Sequence, residues 1–71
     1  MSDQVYKTIE LVGTSSSSIE EAVQSAVKRA SKTVRSMQWF EVKDIRGQIN
    51  EGAVDQWQVI LKIGFSLEDK A

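Results

Sequence analysis

The alternation over residues 53–67 is the feature that most narrows what this chain can become. Trp57, Val59, Leu61, Ile63, Phe65 and Leu67 fall on one parity; Val54, Gln56, Gln58, Ile60, Lys62, Gly64 and Ser66 fall on the other. Strand side chains alternate faces, so this segment reads as a strand with one apolar and one mixed face. At about 3.3 Å per residue it extends roughly 45 Å, well beyond the usual strand of about five or six residues. The chain offers a single helix to cover it, roughly 27 Å long at ~1.5 Å per residue. A helix that short leaves part of the apolar face bare, and neighbouring copies of the chain are expected to cover the remainder.

The other elements follow from the same kind of reading. Val5, Ile9 and Leu11 alternate, which predicts a first strand over residues 4–12. A polar turn, Gly13 to Ser18, comes next. Ser18 and Glu21 form an S-x-x-E capping box before an apolar run at helical spacing: Ile19, Ala22, Val23, Ala26, Val27, Ala30, Thr33 and Val34. Glu20 and Glu21 at its start, and Lys28, Arg29, Lys32 and Arg35 in its second half, suit the helix dipole. The buried stripe is made of small residues, so the helix can lie close on a sheet. A second strand is predicted over 39–49, with its alternation disturbed between Asp44 and Gly47. Simple counting puts Ile45 on the Trp39 face and Arg46 on the Phe40 face, and a bulge near Gly47 would repair the phase. Asn50-Glu51-Gly52 is a turn with a glycine suited to positive φ. The order is β-α-β-β, an α+β fold whose last two strands form an antiparallel hairpin. The tail Glu68-Asp69-Lys70-Ala71 is polar and expected to fray.

Seventy-one residues make one domain, 1–71, with a modest core. Cysteine and histidine are both absent. Disulfides cannot help such a core, and structural zinc and Cys- or Ser–His-type nucleophilic chemistry are disfavoured. Oligomerisation is the remaining route to stability. Nine Lys and Arg against ten Asp and Glu leave a net charge of −1, which gives no drive toward nucleic acid or an acidic membrane. Met1-Ser2-Asp3-Gln4 has no basic or apolar leader character, and no apolar run approaches the ~18 residues of a membrane span. A cytoplasmic protein is expected.

Trp39 is the candidate functional residue. Phe40 and Val42 share one face of the second strand; Trp39, Glu41 and Lys43 share the other. A small domain that aims its largest aromatic away from its core must cover it with a partner subunit or a flat ligand. Gln58 falls on the same non-core face, and its amide offers both a donor and an acceptor. Taken alone, Trp39 reads as an interface aromatic and Gln58 as a solvated polar residue.

Several short segments, in order, narrow the choice: Gly13-Thr14-Ser15, Ala22, Arg29-Ala30, Trp39-Phe40-Glu41-Val42, Arg46-Gly47-Gln48-Ile49, Gln58-Val59 and Gly64-Phe65. With these the chain resembles the dodecin family, small flavin-binding proteins that assemble into hollow dodecameric shells. The resemblance covers nearly the whole length. It implies a three-stranded antiparallel sheet wrapped around one helix, with paired flavins at subunit interfaces. It also implies that the flavin ring stacks on Trp39 and that Gln58 bonds the ring's polar edge. Arg46 and Gln48 match the bacterial form, which suggests a contact to flavin or its phosphate. For Gln48 this depends on the bulge, because simple phase points it into the core. Bacterial members also resemble coenzyme A binders, through basic residues near a shell threefold.

The expectation is therefore a flavin-storage and buffering protein, not an enzyme. FMN is the first choice of ligand because Arg46 could neutralise a phosphate; riboflavin and FAD are the alternatives, and coenzyme A is a second ligand. A shell without flavin is the rival reading. Lys28, Arg29, Lys32 and Arg35 read as a solvated helix face, or as a phosphate patch where threefold copies converge. Trp57 reads as core packing, and Glu41, Asp44 and Glu51 as salt-bridging or inter-subunit residues rather than acid–base groups. The Gly13 turn lacks any phosphate-loop fingerprint.

Overall fold

A computed structural model of the protein describes residues 3–67; the polar tail expected to fray, 68–71, lies outside the described residues. The chain runs β1 (Tyr6–Ser15), α1 (Ile19–Ala30), β2 (Met37–Asn50) and β3 (Ala53–Ser66). The sheet order is β1-β3-β2, with β3 antiparallel to both neighbours. β3 is thus the central strand, and the alternation that opened the sequence reading is the spine of the fold. Its apolar parity supplies Val59, Leu61 and Ile63, all fully buried.

The helix packs chiefly on β1 and β3. Ala22, Ala26 and Ala30 form its buried stripe, with Ile9, Leu11, Ile19, Val23, Val27 and Met37 packed around the core. Small residues let the backbones approach closely. A Cβ added at Gly13 would run into the Ala22 carbonyl, so β1 needs glycine under the helix. Ser18 caps α1 by accepting the Glu21 N–H at 3.1 Å. The reciprocal half of the capping box is replaced: Ser15 Oγ accepts the Ser18 N–H at 3.3 Å and donates to Glu21 Oε1 at 3.1 Å.

The elements depart from the sequence reading at three places. β1 runs on through Gly13, Thr14 and Ser15, which were expected to turn, because the long β3 pairs them with Val59, Gln58 and Trp57. α1 ends at Ala30 instead of continuing through Thr33 and Val34. The Ser31 hydroxyl donates to the Lys28 carbonyl at 2.6 Å, and the Lys32 and Thr33 amides close i→i−3 bonds to Arg29 and Ala30. The β2–β3 register breaks at three points, between Met37 and Trp39, between Val42 and Asp44, and, next to Gly47, between Gln48 and Ile49. The one that changes the face of the residues after it is at Lys43, where the register steps from Val42↔Leu61 to Asp44↔Ile60. That shift places Ile45 opposite Val59 on the helix side and Arg46 opposite Gln58 on the outer side, reversing the simple count for both. Asp44 accepts the Ile45 N–H at 2.9 Å beside the bulge.

At its far end the β2–β3 hairpin closes through Glu51 (φ 50) and Gly52 (φ 78), the double positive φ of a tight two-residue turn. The molecule is elongated, 57 × 20 × 13 Å, with a radius of gyration of 15.0 Å; a compact chain of this length has about 11 Å. The 12-residue helix spans roughly 18 Å, so it leaves the β2 side of the apolar face open. Phe40, Val42 and Ile45 there are 51%, 42% and 46% exposed.

Candidate functional site

The outer face of the sheet, turned away from α1, carries all four candidate residues. Trp39 stands opposite Gly64, Arg46 opposite Gln58 and Gln48 opposite Gln56. The Lys43 bulge is what brings Arg46 and Gln48 to this face alongside Trp39.

The face has two polar-to-aromatic poles. At one, the Trp39 indole lies over the Gly64 backbone: a Cβ at Gly64 would collide with Cζ2, Cε2 and Cη2 of the ring. Tyr6 meets Trp39 edge-on, with ring centroids 5.2 Å apart and planes at 71°. Trp39 remains 43% exposed, which leaves about 100 Å² of a large aromatic available for contact. At the other pole, Arg46 Nε donates to Gln58 Oε1 at 2.7 Å, and Gln58 Nε2 donates to Gln56 Oε1 at 2.9 Å. The chain of bonds orients the Gln58 amide and leaves it one further N–H and one further lone pair. Gln48 lies beside this chain, exposed. Between the poles, Lys43 reaches across to Glu10 at 3.3 Å, an exposed pair worth about 0–1 kcal/mol.

The structure does not bring the poles together within one copy. Gly64 lies six positions along β3 from Gln58, which is roughly 20 Å of strand. One chain therefore holds its exposed aromatic and its hydrogen-bonded amide at separate points of the outer face.

Tyr6, Gly64 and Gln56 also meet the candidate residues on this face, a part the sequence did not assign to them. The glycine had a signal, since a glycine inside a strand marks a close approach of something to the backbone. Tyr6 had none, because its meeting with Trp39 depends on β3 lying between the first and second strands. Of the basic residues expected on the helix, Arg29 and, just past its end, Lys32 line an open cleft of about 480 Å³ beside α1 and β1, with Thr14 and Thr33. Among the described residues there is no cluster of acidic side chains able to hold a metal ion, and no helix long and apolar enough to cross a membrane.

Comparison with known proteins agrees with this architecture. The Dodecin family model matches residues 5–68. A dodecin from Thermus thermophilus is 54% identical over 66 residues, covering 93% of this chain and 96% of the relative. A crystal structure of a Thermus thermophilus protein superposes with a TM-score of 0.91 at 53% identity, covering 96% of this chain and all of that one. The structure of dodecin from Streptomyces coelicolor gives 0.91 at 51% identity over 99% of this chain and all of that one. The chain belongs to the dodecin family, small proteins that bind flavin-like ligands, and its β-α-β-β fold and dodecameric assembly follow from that membership.

Proposed function

We propose that this protein is a cytoplasmic flavin-storage and buffering protein that holds FMN or riboflavin at interfaces between copies, and that it is not an enzyme. The observation that carries the reading is the Trp39 indole, packed against Gly64 and still 43% exposed on the outer face. A rigid aromatic surface of that size suits a flat conjugated ring. Gln58 supports it from the other pole. Its amide is held by Arg46 and Gln56, and its free donor and acceptor complement a ring edge that alternates the two.

The roughly 20 Å of strand between the poles favours ring stacking and edge reading by different copies, which supports a ligand held at an interface. Arg46 keeps further guanidinium N–H groups beyond the one given to Gln58, which favours FMN over riboflavin; FAD carries the same ring. An indole stacked on a flavin is an electron donor close enough to quench its excited state, which would keep a photoreactive compound inert while stored. Trp39 is then both platform and quencher. Flavins stacked in pairs against Trp39 would leave no open space beside the ring for a second substrate, which is why storage is preferred to turnover.

The test is titration of ligand-free protein with FMN. Both flavin and tryptophan emission should fall, and Trp39→Ala should bind at least ten-fold more weakly, about 1.4 kcal/mol, while staying folded. Equal binding by Trp39→Ala would remove the platform. Absence of binding by wild type would leave a shell without flavin. Running the same titration with coenzyme A tests the second ligand, for which the Arg29 and Lys32 cleft is the place to look.

A further inference from the structure

The environment of Trp39 before any ligand arrives is itself informative. Three atoms of its six-membered ring sit where a Gly64 side chain would be. Gly64 is buried, and its φ is not in the left-handed region. Nothing in the backbone therefore demands glycine here; the demand comes from the indole. Tyr6 then closes one side of the ring at 5.2 Å and 71°, an edge-to-face geometry that aromatic pairs prefer. The two contacts come from two different strands: Gly64 from the centre of the sheet and Tyr6 from β1, which pairs with the other side of β3. An exposed tryptophan on a flat strand would otherwise sample several rotamers.

We infer that Tyr6 and Gly64 are positioning residues for Trp39: together they set the indole plane in advance, so that stacking of a flat aromatic ligand is preorganised rather than induced. The affinity part of this rests on the flavin reading above; the positioning part does not. Preorganisation raises affinity by removing the cost of ordering the side chain on binding. The contact is edge to face between the two rings, so this work is assigned to the ring of Tyr6 and not to its hydroxyl.

The experiment uses the full chain labelled with 5-fluorotryptophan. Its two fluorine resonances report Trp39 and Trp57 separately, and Trp39→Phe assigns them. In ligand-free protein, Tyr6→Ala should shift and broaden the Trp39 resonance and leave Trp57, on the opposite face, unmoved. Gly64→Ala should displace the same resonance by a steric route. FMN should bind roughly ten-fold more weakly to Tyr6→Ala, while Tyr6→Phe should match wild type within about two-fold. If Tyr6→Ala leaves the Trp39 resonance and FMN affinity unchanged, the inference falls. It also falls if Tyr6→Phe behaves like Tyr6→Ala, because the hydroxyl would then be the active part. If wild type fails to bind FMN while Tyr6→Ala still moves the Trp39 resonance, the positioning stands and the flavin reading fails.

Discussion

Arg46 has two roles that its mutants should separate. Its Nε holds Gln58 Oε1 at 2.7 Å, and its other N–H groups can face a phosphate. Gln58→Ala removes the edge reader and should weaken riboflavin, FMN and FAD by a similar factor, on the order of 1 kcal/mol or more. Arg46→Ala frees the Gln58 amide, so it should weaken riboflavin too. It should weaken FMN more, and only that excess should shrink as salt screens the phosphate contact. Titrating wild type and both variants with riboflavin and FMN at low and high salt measures both roles. Equal, salt-independent losses for the two ligands would leave Arg46 as a support for Gln58 alone and remove the charge basis for preferring FMN. At this scale the sequence was legible where alternation was unbroken: Trp39 and Gln58 were placed on the non-core face by counting, and the structure puts them there. Their partners were not legible. The Arg46–Gln58 bond needs the second strand in a register that counting had reversed, and Tyr6 needs a strand order that no local pattern encodes.

Elements carry their own constraint at the β1–α1 contact. The glycine of the expected polar turn is a buried packing residue, and its absent side chain is what lets α1 sit on the sheet. Gly13→Ala forces a methyl group against the Ala22 carbonyl and the Ala26 Cβ. A backbone carbonyl cannot swing aside as a flexible side chain can, so the helix must lift. The expected cost is ~1–3 kcal/mol, the usual range for an overpacked core, read by denaturant unfolding. Gly52 makes the contrast: nothing lies within 4 Å of its would-be Cβ, and only its φ of +78° opposes a side chain, so Gly52→Ala should cost about 1–2 kcal/mol without moving the helix. The helix end shows the limit of periodicity as a signal. Thr33 and Val34 keep the helical spacing, yet the chain has already left the helix, because local hydroxyl bonding at Ser31 competes with it. A bulge was expected near Gly47 from the broken phase; a register break does follow Gln48, but the one that reverses the faces of Ile45 and Arg46 lies earlier, at Lys43. Any extra residue between Val42 and Gly47 would restore the phase, and Lys43 is a site where the additional side chain can reach Glu10.

The whole molecule is incomplete in two ways that have one remedy. Its accessible surface is 5607 Å², whereas a compact protein of 7.9 kDa exposes about 4,400 Å². Much of the surplus is β2, where Phe40, Val42 and Ile45 lie on the helix side of the sheet with no helix above them. The proposed site is incomplete as well, its platform and edge reader lying roughly 20 Å apart along β3. Contact between copies would finish the core and the site together. Twelve copies of 7.9 kDa give about 95 kDa, the mass light scattering should report for the native protein. Ile45→Asp makes the link testable. In a lone protomer Ile45 is 46% exposed, and exposed substitutions of that kind usually change stability by about 0.5 kcal/mol or less. If Ile45 is instead sealed against another copy, the buried carboxylate should break the assembly. FMN binding should then fall with the mass, although Trp39, Gln58 and Arg46 are untouched. A folded Ile45→Asp monomer that binds FMN as tightly as wild type would show that one chain completes the site alone. A variant that keeps the full mass would show that this stripe is not where the copies meet.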